Sequence, residues 1–258
     1  IGAVRLRLLL DHFGDLSIAW NAPADAYRAA GITPKVIERI QQRKTNFSVE
    51  DYWQKVIDAG IQVFTWDDSE YPNRLREIHQ PPPVLYTRGK LTFEDEWAVS
   101  IVGTRRITSY GRRVVGELAG YLARNGITII SGLARGIDTV AHRAALENGG
   151  RTIAVLGCGV DTVYPPENRK LAEDLMKAGC LLSDYAPGVP PDAKNFPPRN
   201  RIIAGLGLAT VVVEAGERSG ALITANFAAE QGREVFAVPG PIYAPQSKGT
   251  NLLIQQGA

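Results

Sequence analysis

The sequence predicts an α/β fold, a mostly parallel sheet with helices on both faces, preceded by a small all-α domain. Three observations lead there. From residue 61 onward, short apolar runs rich in β-branched residues alternate with stretches whose apolar residues recur at helical spacing. Before that, residues 1–60 read only as brief helices, broken at Gly14, Gly31 and Gly60. The runs that read as strands end in loops rich in glycine and arginine, where an open parallel sheet presents its ligand site.

In the helical domain, Val4, Leu6, Leu8, Leu9, Leu10 and Phe13 make a first helix. Residues 15–20, 25–30 and 34–42 make three more, and Ser48 caps a fifth that runs to Asp58. A helix, a glycine turn and a helix suit a hairpin that binds a DNA backbone; ordinary helix packing explains the pattern as well. Residues 61–66 read as a strand, Pro72 opens a short helix to Ile78, Pro81-Pro82-Pro83 is extended, and residues 84–87 are a strand. The domain boundary falls near Gly60, giving domains 1–60 and 61–258.

The stretch from Trp97 to Gly126 organises the remainder of the chain. Residues 98–102 are a buried strand, Gly103 turns the chain, Thr108 or Ser109 caps a helix, and Asn125-Gly126 ends it. Further strands are expected at 127–131, 152–156, 180–183, 208–213 and 234–238. Helices are expected at 137–148, 165–177, 199–206 and 219–231, with a proline-rich loop at 185–198 and a last helix near the end of the chain.

Composition excludes several classes. Among 258 residues, 45% are hydrophobic and 22% charged, ordinary for a globular protein, and no apolar run is long enough to cross a membrane. A net charge of only +2 means that any nucleic-acid surface is a local patch. Two cysteines, Cys158 and Cys180, and three scattered histidines form no metal-ligand cluster, so neither metal nor cofactor is expected. Buried free thiols suit a reducing, cytoplasmic setting. The chain starts at Ile1, not methionine, and is read as the ordered portion of a longer protein.

Free N–H groups and the dipole at a helix start, with Gly103, Thr104, Arg105 and Arg106 beside them, read as an anion site. The loop lacks the Gly-Lys-Ser/Thr of a phosphate loop and the spacing of the dinucleotide fingerprint. Four further segments converge on the same sheet edge. Ser131-Gly132-Leu133-Ala134-Arg135-Gly136 and Gly157-Cys158-Gly159 leave two other strands. Glu214-Ala215-Gly216-Glu217-Arg218-Ser219-Gly220 leaves a third, with Thr224 one turn on, and Lys194 to Arg201 leads into a helix. Glycines permit close approach, arginines offer bidentate phosphate donors, and Ser219 and Thr224 add hydroxyls. Phe196, beside Lys194, Arg199, Asn200 and Arg201, either stacks on a nucleobase or anchors its loop against the sheet. Glu214 reads as a base or as a partner for Arg199 or Arg201, and His142 as a structural residue. No nucleophile elbow or catalytic triad stands out, so binding, not turnover, is expected.

These loops resemble those of the DprA family (DNA-processing protein A, or Smf), the DNA-processing proteins of natural transformation. The resemblance rests on Ile101-Val102-Gly103-Thr104-Arg105, on Ser131 to Asp138 and on Phe196-Pro197-Pro198-Arg199-Asn200-Arg201 through Leu206. It continues through Val213-Glu214-Ala215, Ser219 to Ala225, Val235 to Gly240 and Gly249-Thr250-Asn251, spanning about residues 61–258. It implies an extended Rossmann-like domain that binds single-stranded DNA, not a nucleotide, with no enzymatic activity. It implies a homodimer that loads the RecA recombinase and displaces single-strand-binding protein, and a sterile-alpha-motif-like or helix-hairpin-helix-like domain in residues 1–60. The family's DNA pocket maps onto Gly103, Arg105, Lys194, Phe196, Arg199 and Arg201. The rival is a lysine-decarboxylase-like enzyme that hydrolyses nucleoside monophosphates; its Pro-Gly-Gly-x-Gly-Thr motif is replaced here by Glu214 to Gly220. A third reading is a docking protein with a vestigial pocket.

Overall fold

The computed structural model describes residues 2–258. Its helices are α1 (Ala3–Phe13), α2 (Leu16–Asn21), α3 (Ala24–Ala29), α4 (Pro34–Thr45), α5 (Val49–Asp58) and α6 (Asn73–Arg76). They continue with α7 (Ser109–Arg124), α8 (Ile137–Glu147), α9 (Arg169–Ala178), α10 (Phe196–Leu206), α11 (Gly220–Glu230) and α12 (Lys248–Gln255). The strands are β1 (Gln62–Thr65), β2 (Val84–Gly89), β3 (Ala98–Val102), β4 (Thr128–Ser131), β5 (Thr152–Val155), β6 (Cys180–Ser183), β7 (Ala209–Val212) and β8 (Glu234–Ala237).

All eight strands form one sheet in the order β1-β2-β6-β5-β4-β3-β7-β8. The six from β3 to β8 run parallel, and β1 and β2 add an antiparallel edge. The order reverses between β3 and β7, so the crevice that parallel sheets use for ligands opens at the carboxyl ends of those two strands.

The central strands β4 to β7 are buried along their whole length, which is why they appear in the sequence as continuous apolar runs. Side chains on β3 alternate between the two layers. Ala98 and Val102 face the core that holds Ile202, Ile203 and Ala221, and Ile101 faces the one that holds Val115, Ala119 and Ile137. Hydroxyls on the buried strands bond to main-chain carbonyls: Ser100 to Ile203 O (2.6 Å), Ser131 to Ile101 O (2.6 Å) and Thr152 to Ile129 O (2.7 Å).

Leu9, Ala19, Tyr27, Ile32, Ile37 and Ile40 make a separate core for α1 to α4. Helix α5 does not share it. Its Val56 packs with Ile61, Leu156 and Leu171 beneath the sheet, because the strong apolar stripe of α5 faces that way. The boundary between the cores thus precedes α5, whereas the sequence places the domain boundary after it.

Two helices begin differently from expectation. The Pro197-Pro198 pair lies inside α10, not in a loop, because the first helical turn needs no N–H donors; the helix starts at Phe196, three residues early. The helix expected at 165 opens with a 3-10 turn over Pro166–Asn168. The glycine stop at the end of α7 is as expected, with Gly126 in the left-handed region at φ 76°.

His142 of α8 is fully buried, its Nδ1 2.6 Å from the Thr152 hydroxyl. Burial, seconded by the charge of Arg199, pushes its pKa down to about 3. The native imidazole therefore stays neutral where the unfolded chain takes up a proton, and stability falls with pH below the ordinary histidine value. His142→Gln, which cannot take up that proton, is expected to flatten the curve. In urea titrations the wild type should lose about 1.6 kcal/mol in all between pH 6.5 and 5 relative to the variant. Parallel curves would show that the buried ring carries no such penalty.

Candidate nucleic-acid interface

The crevice at the switch point is a cleft of about 760 Å³. The loop after β3 contributes Gly103, Thr104 and Arg105, the start of α10 contributes Phe196, Arg199 and Asn200, and the loop after β7 and α11 contribute Gly216, Arg218, Ser219, Gly220 and Thr224. A smaller cleft adjoins it, lined by Gly132, Ala134 and Arg135 together with Arg105, Tyr164, Phe196 and Arg199.

The close approach of β3 to α8 demands glycine at 103, since a Cβ there would lie 2.5 Å from the Ile137 side chain. The loop then runs on through Thr104, whose N–H donates to Glu214 O (2.7 Å), and leaves Arg105 exposed. Arg105 lies with its guanidinium carbon 5.8 Å from the Phe196 ring centre, and no ion-pair partner is present among the described residues.

Phe196 anchors its loop and also presents its ring to the clefts. One edge rests on the backbone at Gly157, where a Cβ would come within 2.8 Å of the ring. The ring also lines both clefts and stacks on Tyr164, with centroids 5.7 Å apart and planes at 30°. Tyr164 is exposed and lines both clefts as well. Sequence reasoning missed it, because it stands in an irregular loop and only the fold brings it to Phe196.

Arg199 is not a surface phosphate donor. Only 5% of it is exposed, and its terminal nitrogen donates to Gly132 O (3.0 Å) and to Val155 O. Burial pushes its pKa down to about 10, so it stays charged at neutral pH. Across the Gly132 backbone, Asp138 accepts from Gly132 N–H (3.1 Å) and Ala134 N–H (3.3 Å). Burial pushes the Asp138 carboxyl above its ordinary range, against the pull of Arg199 and these amides. The same loop carries Leu133 at φ 57°, a strained conformation for leucine, pinned where Asn168 donates to its carbonyl (2.9 Å).

Arg201 lies outside both clefts. It points from another side of α10 and bonds Asp184 at 2.9 Å, both side chains being mostly buried. One of the two expectations for Glu214 paired it with Arg199 or Arg201, but Glu214 is occupied elsewhere. It is buried and accepts from the Thr108 N–H (3.0 Å) and hydroxyl at the start of α7, against Gly111, where a Cβ would collide with the carboxylate. The positive end of α7, expected to be free for an anion, thus already faces a carboxylate.

The remaining candidates divide. Lys194 is exposed, pairs with Asp192 (2.7 Å) and stands outside the clefts. Arg135 pairs with Glu167 at the rim, and Arg106 is exposed outside the lining. Asn200 bonds Gly220 O (3.2 Å), tying α10 to α11 across the cleft. Cys158 and Cys180 are free and buried; burial pushes the Cys158 thiol up to about 11, so it is inert. Among the described residues no group of side chains could hold a metal ion, and no helix is long and apolar enough to cross a membrane.

Comparison with known proteins identifies relatives of this chain. The sequence profile of the DNA recombination-mediator protein A family matches residues 62–258. The chain is 43% identical to protein Smf of Synechocystis, over 100% of its own length and 66% of that protein. It is 46% identical to DNA processing protein DprA of Streptococcus pneumoniae, over 82% of the chain and 75% of that protein. It therefore spans just under two thirds of the Synechocystis relative. Its fold matches the X-ray structure of the S. pneumoniae DprA with a TM-score of 0.85 at 36% identity, over 98% of this chain and 88% of that one. It matches DNA processing protein A of Helicobacter pylori, solved for its single-stranded DNA binding mode, with a TM-score of 0.69 at 32% identity, over 77% and 90%.

If Arg199 is a brace, Arg199→Met removes the donor from two loop carbonyls and should cost about 3 kcal/mol in urea unfolding. A loss below about 0.5 kcal/mol, the range of ordinary surface substitutions, would show that the loops do not depend on it.

Proposed function

The chain belongs to the DNA recombination-mediator protein A family, and from that premise we propose that its switch-point cleft binds single-stranded DNA with little sequence preference. The observation that carries this reading is the stacked Phe196–Tyr164 pair flanked by Arg105, which has no ion-pair partner among the described residues, with Arg218 across the cleft. Aromatic faces accept any base, and exposed guanidiniums accept any phosphate, so such a cleft follows a flexible strand and not a sequence. A stacked duplex offers no free base to the pair, so duplex DNA should bind more weakly.

The same reading gives the protein a role in recombination: as a homodimer it would set two clefts on one strand, gain avidity, and hand the strand to RecA in place of single-strand-binding protein. Size measurement by light scattering tests the dimer, and RecA nucleation on strands precoated with single-strand-binding protein tests the loading. On this view the protein is a mediator and not an enzyme. Release of free base from a nucleoside monophosphate would favour the hydrolase reading instead.

The first test is fluorescence anisotropy with single- and double-stranded DNA of one length over a salt series. Arg105→Ala should weaken single-strand binding and reduce the slope of log K against log salt by about 0.7, one phosphate contact. Tyr164→Ala should weaken binding by about 1 kcal/mol or more at an unchanged slope, the signature of lost stacking. Equal affinity for duplex and single strand, or an unchanged slope for Arg105→Ala, would count against the reading.

A further inference from the structure

We propose that the start of α11 is the phosphate seat of the cleft, where a backbone phosphate is held by the Gly220 amide, the Arg218 guanidinium and the Thr224 hydroxyl. The inference rests on the single-stranded DNA reading and names the part of the site that grips the backbone.

Four helices, α7, α8, α10 and α11, start at the carboxyl edge of the sheet beside the cleft with the positive ends of their dipoles there, but α10 opens on Pro197-Pro198, which have no N–H to offer. Two of those ends already face a carboxylate. Glu214 accepts from Thr108 at α7, and Asp138 lies in the first turn of α8 and accepts from the preceding loop. The start of α11, an eleven-residue helix, has no acidic residue in its first turn and is capped only by the neutral Ser219. Its Gly220 N–H has no hydrogen-bond partner among the described residues.

Two side chains complete the seat. Arg218 is exposed, lines the cleft and has no ion-pair partner among the described residues. The neighbouring acid, Glu217, is drawn away to Lys248 at 3.2 Å. Thr224, one turn into α11, is only 1% exposed, yet it lines the cleft and its hydroxyl has no partner among the described residues. Its hydroxyl oxygen is not among the atoms shut off from solvent, so it is open to a ligand atom in the cleft. Amide, guanidinium and hydroxyl donors together match the oxygens of a phosphate.

The seat lies on the β7 side of the cleft and the aromatic pair on the side of α10 and the loop before α9. A strand whose phosphate rests at α11 can thus lay a neighbouring base toward Tyr164 and Phe196.

The test uses the full chain and a fluorescein-labelled oligothymidylate over a salt series, with thermal melts to confirm that each variant is folded. Arg218→Ala should weaken binding about fivefold and reduce the salt slope by about 0.7. Thr224→Val keeps the shape without the hydroxyl and should weaken binding about threefold at an unchanged slope. At constant ionic strength, inorganic phosphate should displace the strand from the wild type more readily than from Arg218→Ala. If both variants bind like the wild type while Arg105→Ala is weakened, the seat is elsewhere and the DNA reading stands. If Arg218→Ala binds more weakly at an unchanged slope, the arginine does not meet a phosphate and the seat is likewise refuted. If the wild type binds no single strand at all, the DNA reading falls and the seat with it.

Discussion

The cleft depends on one buried cation. Arg199 enters beneath the loops that leave β4 and β5 and holds both by their carbonyls, at Gly132 and Val155. A guanidinium placed there costs several kcal/mol in desolvation unless every nearby dipole favours it. The compensation comes from those carbonyls and from Asp138, which fastens the same β4 loop by its amides. The arrangement fixes the loop in a geometry that leucine adopts reluctantly at position 133. It also sets the start of α10, and so places Phe196 against Gly157 and under Tyr164. Neither ring belongs to an apolar core; Phe196 sits one turn before the buried charge, and Tyr164 stacks on it.

Acidic side chains have the complementary task. Within reach of the cleft, Asp138 and Glu214 are buried and turned toward backbone N–H groups and Thr108. Each neutralises the helix end it touches and presents little charge to solvent. The outward field is then set by Arg105 and Arg218, neither of them ion-paired among the described residues. A chain with 29 basic and 27 acidic residues can in this way show a polyanion a positive face, because burial and pairing decide which charges are seen.

How far this was legible in the sequence is set by the same physics. The strands were legible because a parallel sheet covered on both faces needs continuous apolar runs, and Ala98–Val102 or Ala209–Val212 can be little else. The convergence of glycine-rich loops was legible because topology alone brings strand ends together. The separate fates of Arg199, Arg201 and Lys194 were not. Residues two apart on a helix point about 200° from each other, so Arg199 and Arg201 had to face different surroundings. Which of the two is buried depends on loops far away in sequence. Tyr164 left no periodic signal, and its value appears only where it meets Phe196. Glu214 at the end of an apolar strand looked chemical; its partner, Thr108, is 106 residues away.

The division between neutralised and open helix ends also bears on what the cleft can hold. A dinucleotide site places its diphosphate at the helix that comes after the first parallel strand, with glycine turns bringing the backbone close. Here that helix is α7, and Glu214 stands at its start, so a diphosphate would meet a carboxylate where it needs amides. The open helix end, α11, comes after the strand on the other side of the switch point, and the aromatic pair lies across the cleft from it. A compact nucleotide would engage one side and leave the other empty. A ligand that repeats phosphate and base along its length can engage both, and each added unit meets a site of the kind it carries. The position of one buried glutamate thus separates this cleft from the cofactor sites built at the same kind of switch point.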